Sequence, residues 1–132
     1  MERRTCRMDE ELKEMIADYM QKGFLENIID MFRHDASLYS IVGDLLRDDR
    51  VRVRIGVAAL LEELAKERPE EARLAVAPLM PLLVDDNPTV RGDAAYLIAA
   101  VGGREGLEAL RPLLDDPEPQ VAEMVRELMD ES

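Results

Sequence analysis

The chain has 132 residues, enough for one domain with a substantial core, and with no Trp, three Tyr and two Phe that core must be aliphatic, which favours helices over sheets. Its 29 acidic and 17 basic residues give a net charge of −12, which argues against nucleic acid as a partner because the phosphate backbone is repelled; solubility is the plain reading of the excess. The single cysteine, Cys6, excludes an internal disulfide. No apolar run reaches the roughly 18 residues that a membrane span needs, and the first residues lead into charge instead of a signal-peptide apolar region, so no membrane partner and a cytoplasmic location are expected.

In chain order, Asp9 is expected to cap a helix with Leu12, Met15, Ile16, Tyr19 and Met20 on one face, ended by Gly23. "FLENIIDMF" then places Phe24, Leu25, Ile28, Ile29 and Phe32 on the face of a second helix. "SLYSIVGDLLRDD" reads as a short helix with Ser37 as its N-cap. The next stretch, "VRVRI", alternates like an exposed strand before the helical "GVAALLEELA". Beyond it, "PEEARLAVAPLMPLLVD" is a helix starting at Pro69 and bent by Pro78 and Pro81, each of which deletes a backbone hydrogen bond. In "DDNPTV" Asn87 is the N-cap and Pro88 the first helical residue; Val90, Ala94, Leu97, Ile98 and Val101 follow at helical spacing until Gly102-Gly103. "REGLEALRPLLDD" and "PEPQVAEMVRELMDES" complete the set.

These elements repeat. Setting the stretches from Leu45, Leu82 and Leu113 side by side aligns two leucines, an acidic turn, and a valine seven positions after the second leucine: Val53, Val90 and Val121. The copies are offset by 37 and 31 residues. In this register Pro88 and Pro119 occupy the position of Val51, and the alternation of "VRVRI" is too short for a strand. That segment is therefore the opening of a helix with Val53, Val57, Leu60, Leu61 and Leu64 as its buried stripe. The expected architecture is all-α: one domain over 1–132, with a degenerate capping pair at 9–36 and further helix pairs at 37–67, 69–102 and 104–130.

"LLRDDRVRVRIGVAALLEELA" and "LLVDDNPTVRGDAAYLIAAVG" resemble the HEAT repeat family in its compact bacterial form, over Leu38 to about Met129. The resemblance implies a right-handed α-solenoid of stacked antiparallel helix pairs. It also implies an aspartate ending each first helix with an arginine six residues later, a spacing matched by Asp48 with Arg54 and by Asp85 with Arg91. In the third copy Ala122 stands at the arginine position, as suits a terminal repeat with no further neighbour.

Catalysis has little to build on. His34 is the only histidine, which leaves no partner set for a zinc site, a Cys/His dyad or a Ser/His/Asp triad. Deoxyhypusine hydroxylases are similar in fold but hold iron with repeated His-Glu pairs, none of which occurs here. Asp48-Asp49, Asp85-Asp86 and Asp115-Asp116 lack the alternation, glycine and distal glutamate of a calcium loop, and their place at repeated turns reads as structural. Arg47, Arg50, Arg52 and Arg54 form a single basic segment that reads as a solvated helix start with Arg54 at the turn; alkylpurine DNA glycosylases, similar in fold only, are basic proteins.

The better lead lies opposite the buried stripe. Ile55, Ala59 and Glu62 align with Gly92, Tyr96 and Ala99, and the resemblance implies that second helices line a concave surface. There these residues form a shallow partner-binding groove with Tyr96 as its aromatic anchor. Met8, Met15, Met20 and Met31 enrich the N-terminal pair in methionine, which suits gap-filling in a cap or a homo-oligomer contact. The expectation is a non-enzymatic scaffold without cofactor that binds another protein. The alternatives are an accessory, chaperone- or lyase-like protein acting on a cofactor-bearing partner, because phycobilin lyases also resemble this repeat, and a structural homo-oligomer.

Overall fold

The computed structural model describes residues 2–131, with side chains described from Glu10 onward; the side chains of Cys6, Met8 and Asp9 lie outside what is described. Among the described residues every regular element is helical. The α-helices are α1 (Glu2–Gln21), α2 (Leu25–His34), α3 (Val42–Leu46), α4 (Val51–Glu67), α5 (Pro69–Ala72), α6 (Val76–Leu79), α7 (Pro88–Ala109) and α8 (Pro119–Glu131), with tighter 3-10 segments at Ala36–Ile41, Arg73–Ala75, Met80–Val84 and Arg111–Asp115. The chain is an all-α solenoid. The long helix α4 packs on α7, and α7 on α8, while both α1 and α2 rest on α4.

The "VRVRI" question is resolved in favour of helix. α4 begins at Val51, and Val53, Val57, Leu60, Leu61 and Leu64 are its buried residues. Proline has the effect its chemistry dictates: around Pro78 and Pro81 the helix from Pro69 is split into short α and 3-10 pieces. Asn87 caps α7 by accepting from Thr89 N at 2.9 Å, with Pro88 at the first helical position. Gly103 interrupts α7 at φ 61° and ψ −149°, a conformation accessible in practice only to glycine, so the residues after it turn away from the helix axis.

Three local expectations are corrected. α1 starts at Glu2, which places Asp9 inside the helix and not at its cap. Asp35, not Ser37, caps the following segment: its carboxylate accepts from Ser37 N at 3.1 Å and from Ser37 Oγ at 2.6 Å, so the serine hydroxyl is itself a donor to the cap. Met15 is 37% exposed, whereas Ile16, Ala17 and Met20 form the buried face, a rotation of the stripe by one position.

The core is continuous from Ile16 in α1 to Val125 in α8, and among the described residues no buried residue in it is polar or charged apart from the hydroxyl of Tyr39. Close approach between successive pairs is bought with glycine. A Cβ at Gly43 would lie 2.5 Å from the main-chain oxygen of Pro78, whereas one at Gly56 would meet the flexible end of Met20 at 3.1 Å. The Tyr39 ring packs edge-on against Phe32 at 5.2 Å, with its hydroxyl buried and unpartnered.

The acidic turns form a second, polar seam. Asp48, Asp85 and Asp116 each accept from the main-chain N–H two residues on, in every case at 2.9 Å. Links then run between turns. Arg47 Nε lies 3.2 Å from Asp85 Oδ2, and Arg91 makes a bidentate pair with Asp116 at 2.8 and 2.9 Å. The pairing implied within each copy thus takes another form. Arg91 meets Asp85 through its main-chain oxygen at 2.8 Å and carries its ionic bond to the next turn, while Asp48 is held by Arg50 and not by Arg54. Arg50 also reaches Asp18 of α1 at 2.9 Å, and Arg52 donates to Gln21 O, so the basic segment ties down the N-terminal pair.

Three predictions follow from this packing. Gly43→Ala is expected to lower stability by about 1–3 kcal/mol, because neither backbone can yield freely, while Gly56→Ala stays within about 1 kcal/mol of wild type; urea unfolding midpoints compare them. Burial pushes the Tyr39 hydroxyl from 10.0 up to about 12, so its proton is held more tightly in the folded chain. Stability should therefore fall as pH rises from 10 toward 12, with a shallower fall in Tyr39→Phe, which also gains about 1 kcal/mol at neutral pH by losing an unpartnered hydroxyl. The Arg91 guanidinium holds the Asp116 carboxyl below its usual range, so this pair stabilises the fold above about pH 4 and the contribution is lost as pH falls through the lowered value. Asp116→Asn should accordingly lower the unfolding midpoint at pH 7, more than Glu108→Gln does at the exposed Arg111 pair, with the difference closing toward pH 3.

Candidate interaction groove

Helices α4 and α7 lie side by side as the second members of successive pairs, and the outward faces of both remain uncovered between them. Helical spacing puts Val51, Ile55 and Ala58 on one wall and Thr89, Gly92, Asp93 and Tyr96 on the other, and Met124 of α8 closes one end. Together they bound an open groove of about 460 Å³ that is mostly apolar at its surface. Val51 is 55% exposed, Ile55 63% and Tyr96 41%, so three large apolar side chains stand in solvent within one groove. Gly92 makes room in the wall: a Cβ there would come 3.7 Å from the terminal methyl of Met124.

Besides Thr89, three polar groups are set into this apolar lining. The Tyr96 hydroxyl donates to Glu62 Oε2 at 3.1 Å, bridging one pair to the next, and that bond together with the glutamate charge pushes the Tyr96 pKa up. Arg54 Nε is buried without a hydrogen-bond partner. Across from it Asp93 is half-buried; desolvation pushes its carboxyl up, and Arg54 opposes this only through space.

Of the residues singled out from sequence, Ile55, Gly92 and Tyr96 line the groove, and Glu62 stands at its margin through the Tyr96 bond. Ala59 and Ala99 are half-buried and lie outside its walls. Val51, Ala58, Asp93 and Met124 were not anticipated. Val51 and Asp93 follow from running the same helical arithmetic to neighbouring positions, whereas Met124 belongs to a third helix and had no such signal. Of the turn residues, Arg54 belongs to the groove, while Asp48, Asp85 and Arg91 serve the seam.

Other chemistry finds no such assembly. Among the described residues no group of three or more His, Cys, Asp or Glu is placed to hold a metal ion, and no helix is long and apolar enough to cross a membrane. His34 is an exposed residue at the end of α2 with Nδ1 2.9 Å from the main-chain oxygen of Asp30. Met20 is buried against Gly56 and Met31 is half-buried, so of the methionines described in the N-terminal pair only Met15 is exposed.

The family model for HEAT repeats matches residues 39–129. No curated protein and no solved structure matches the chain. The matched span covers well over half of the sequence and takes in the leucine pairs, the acidic turns and both walls of the groove: the chain belongs to the HEAT-repeat family.

Proposed function

We propose that this protein is a non-enzymatic scaffold that binds another protein through the second-helix face around Ile55 and Tyr96. HEAT repeats are generally protein-interaction scaffolds. The observation that carries the reading here is the groove itself: Val51, Ile55 and Tyr96 are exposed together on two helices whose opposite faces are locked into the core. Such a surface presents anchors at little conformational cost, because the helices that bear them are already ordered. The pairs at 37–67 and 69–102 supply its walls, the segment 9–36 caps one end of the stack, and the pair at 104–130 contributes Met124. The shape is open, which suits a macromolecular surface better than a small cofactor, and a cytoplasmic scaffold without cofactor remains the reading that the composition favours.

Affinity capture from the source cell's lysate tests this. Wild type should retain a partner that Tyr96→Ala/Ile55→Asp loses by tenfold or more, the scale of an interface hot spot. Leu74→Asp, at a 52% exposed position outside the groove, should retain it. Equal retention by the double variant and wild type would remove the groove from the binding face.

A further inference from the structure

Charge is distributed along the second-helix face in a way that specifies more than an apolar contact. In the repeat register, Ile55 of α4 corresponds to Gly92 of α7 and Glu123 of α8, and Tyr96 corresponds to Glu127. Glu123, Glu127 and Glu131 follow one another at four-residue spacing on α8, all exposed, so they form one strip along that helix. Met124 of α8 lines the groove, and Glu127 and Glu131 stand three and seven residues after it on the same helix, so the end of this strip shares the face that meets the groove. On the opposite wall Glu62 stands against Tyr96, and Asp93 sits half-buried within the groove. The nearby cations do not balance these carboxylates: Arg50 is engaged by Asp48 and Asp18 and Arg91 by Asp116, which leaves Arg54 in the groove and the exposed Arg126 of α8 against Glu62, Asp93, Glu123, Glu127 and Glu131.

Resting on the reading above, we infer that the occupant is a short cationic segment of the partner protein, whose apolar side chain seats between Ile55 and Tyr96 while its Lys or Arg residues meet Asp93 and the glutamates of α8. Each part of the groove then has a counterpart. The exposed apolar walls are covered, and a cation beside Asp93 compensates a carboxylate that burial has stripped of water. Arg54 lines the groove as a half-buried side chain, and a peptide carbonyl, as an uncharged acceptor, suits the exposed part of its guanidinium without competing with Asp93. An acidic segment would satisfy Arg54 but would set like charges against Asp93, Glu62 and Glu131 on a chain of net charge −12.

The test uses three fluorescent peptides of equal length, one of Leu and Lys, one of Leu and Glu, and one of Ser and Lys with the same charge as the first. Binding to the full chain is followed by anisotropy at physiological ionic strength, where surface attraction is screened. The Leu/Lys peptide should bind, with at least tenfold weaker binding by Asp93→Asn, by Glu127→Gln/Glu131→Gln and by Ile55→Ser; the Ser/Lys peptide should bind at least tenfold more weakly than the Leu/Lys one. All variants replace exposed or half-buried groups, and matching thermal midpoints confirm their folding. Equal binding of the Leu/Lys peptide to wild type and Asp93→Asn would overturn the inference, leaving only bulk charge. Binding of the Leu/Glu peptide, lost in Arg54→Met, would overturn it in favour of an acidic partner while keeping the groove. If no peptide binds but lysate capture still depends on Tyr96 and Ile55, the cationic segment is excluded and the scaffold reading stands; if capture fails as well, both fall.

Discussion

Each helix pair in this chain is apolar on the sides that face its neighbours, and nothing smaller than another pair can cover those sides. A pair such as that ending in α4 buries Val53, Val57, Leu60, Leu61 and Leu64 only because the N-terminal pair lies on one side and α7 on the other. Stability is therefore held in common along the stack, in the sense that removing one pair exposes the inner face of the next. The N-terminal pair illustrates the point. It lies outside the span matched to the family, yet Met20 fills the space at Gly56, Arg50 reaches back to Asp18, and Arg33 pairs with Glu67 at 2.7 Å. Packing and ionic contacts of this kind join the pair to the core without its having to follow the repeat.

The polar seam complements the apolar one and fixes what the apolar one leaves loose. Aliphatic contacts are non-directional and tolerate sliding, whereas a bidentate guanidinium-carboxylate pair has one geometry. Arg91 reads the position of the next turn through Asp116 and of its own turn through the main-chain oxygen of Asp85, so one side chain sets the spacing between two pairs. At the preceding step Arg47 is bound to Asp85 instead. That substitution frees Arg54 from the seam and leaves its Nε at the groove, which is how a residue at the family's structural position comes to stand among the candidate contact residues.

Much of the fold was legible because it is written in periodicity. The leucine pairs, the valines seven residues on, and the Asn87-Pro88 start of α7 each express a local rule that the core then reinforces. The breaks were legible too, since Pro78, Pro81 and Gly103 act on the backbone wherever they stand. What could not be read was partner choice between charged groups. Asp35 and Ser37 are both good caps, and only geometry decides between them; Asp48 has arginines two and six residues away, and the nearer one takes it. The groove was half legible for the same reason. Ile55 and Tyr96 follow from helix faces, while Met124 arrives from a different helix through stacking, which no local pattern encodes.

The position of the groove along the stack follows from which repeats break the pattern on the outer face. An unbroken α-solenoid presents equivalent outer positions at every step, and those positions are free to vary because the core does not use them. Here they run from Ile55 through Gly92 to Glu123, and from Ala59 through Tyr96 to Glu127. The apolar members fall on α4 and α7, the glycine opens the space between them, and the glutamates follow on α8. The buried sides of these helices keep one register throughout, with Val53, Val90 and Val121 in equivalent places. Conformity inside and divergence outside is the pattern expected of a chain in which the core sets the frame and the exposed face of each repeat sets what that frame presents.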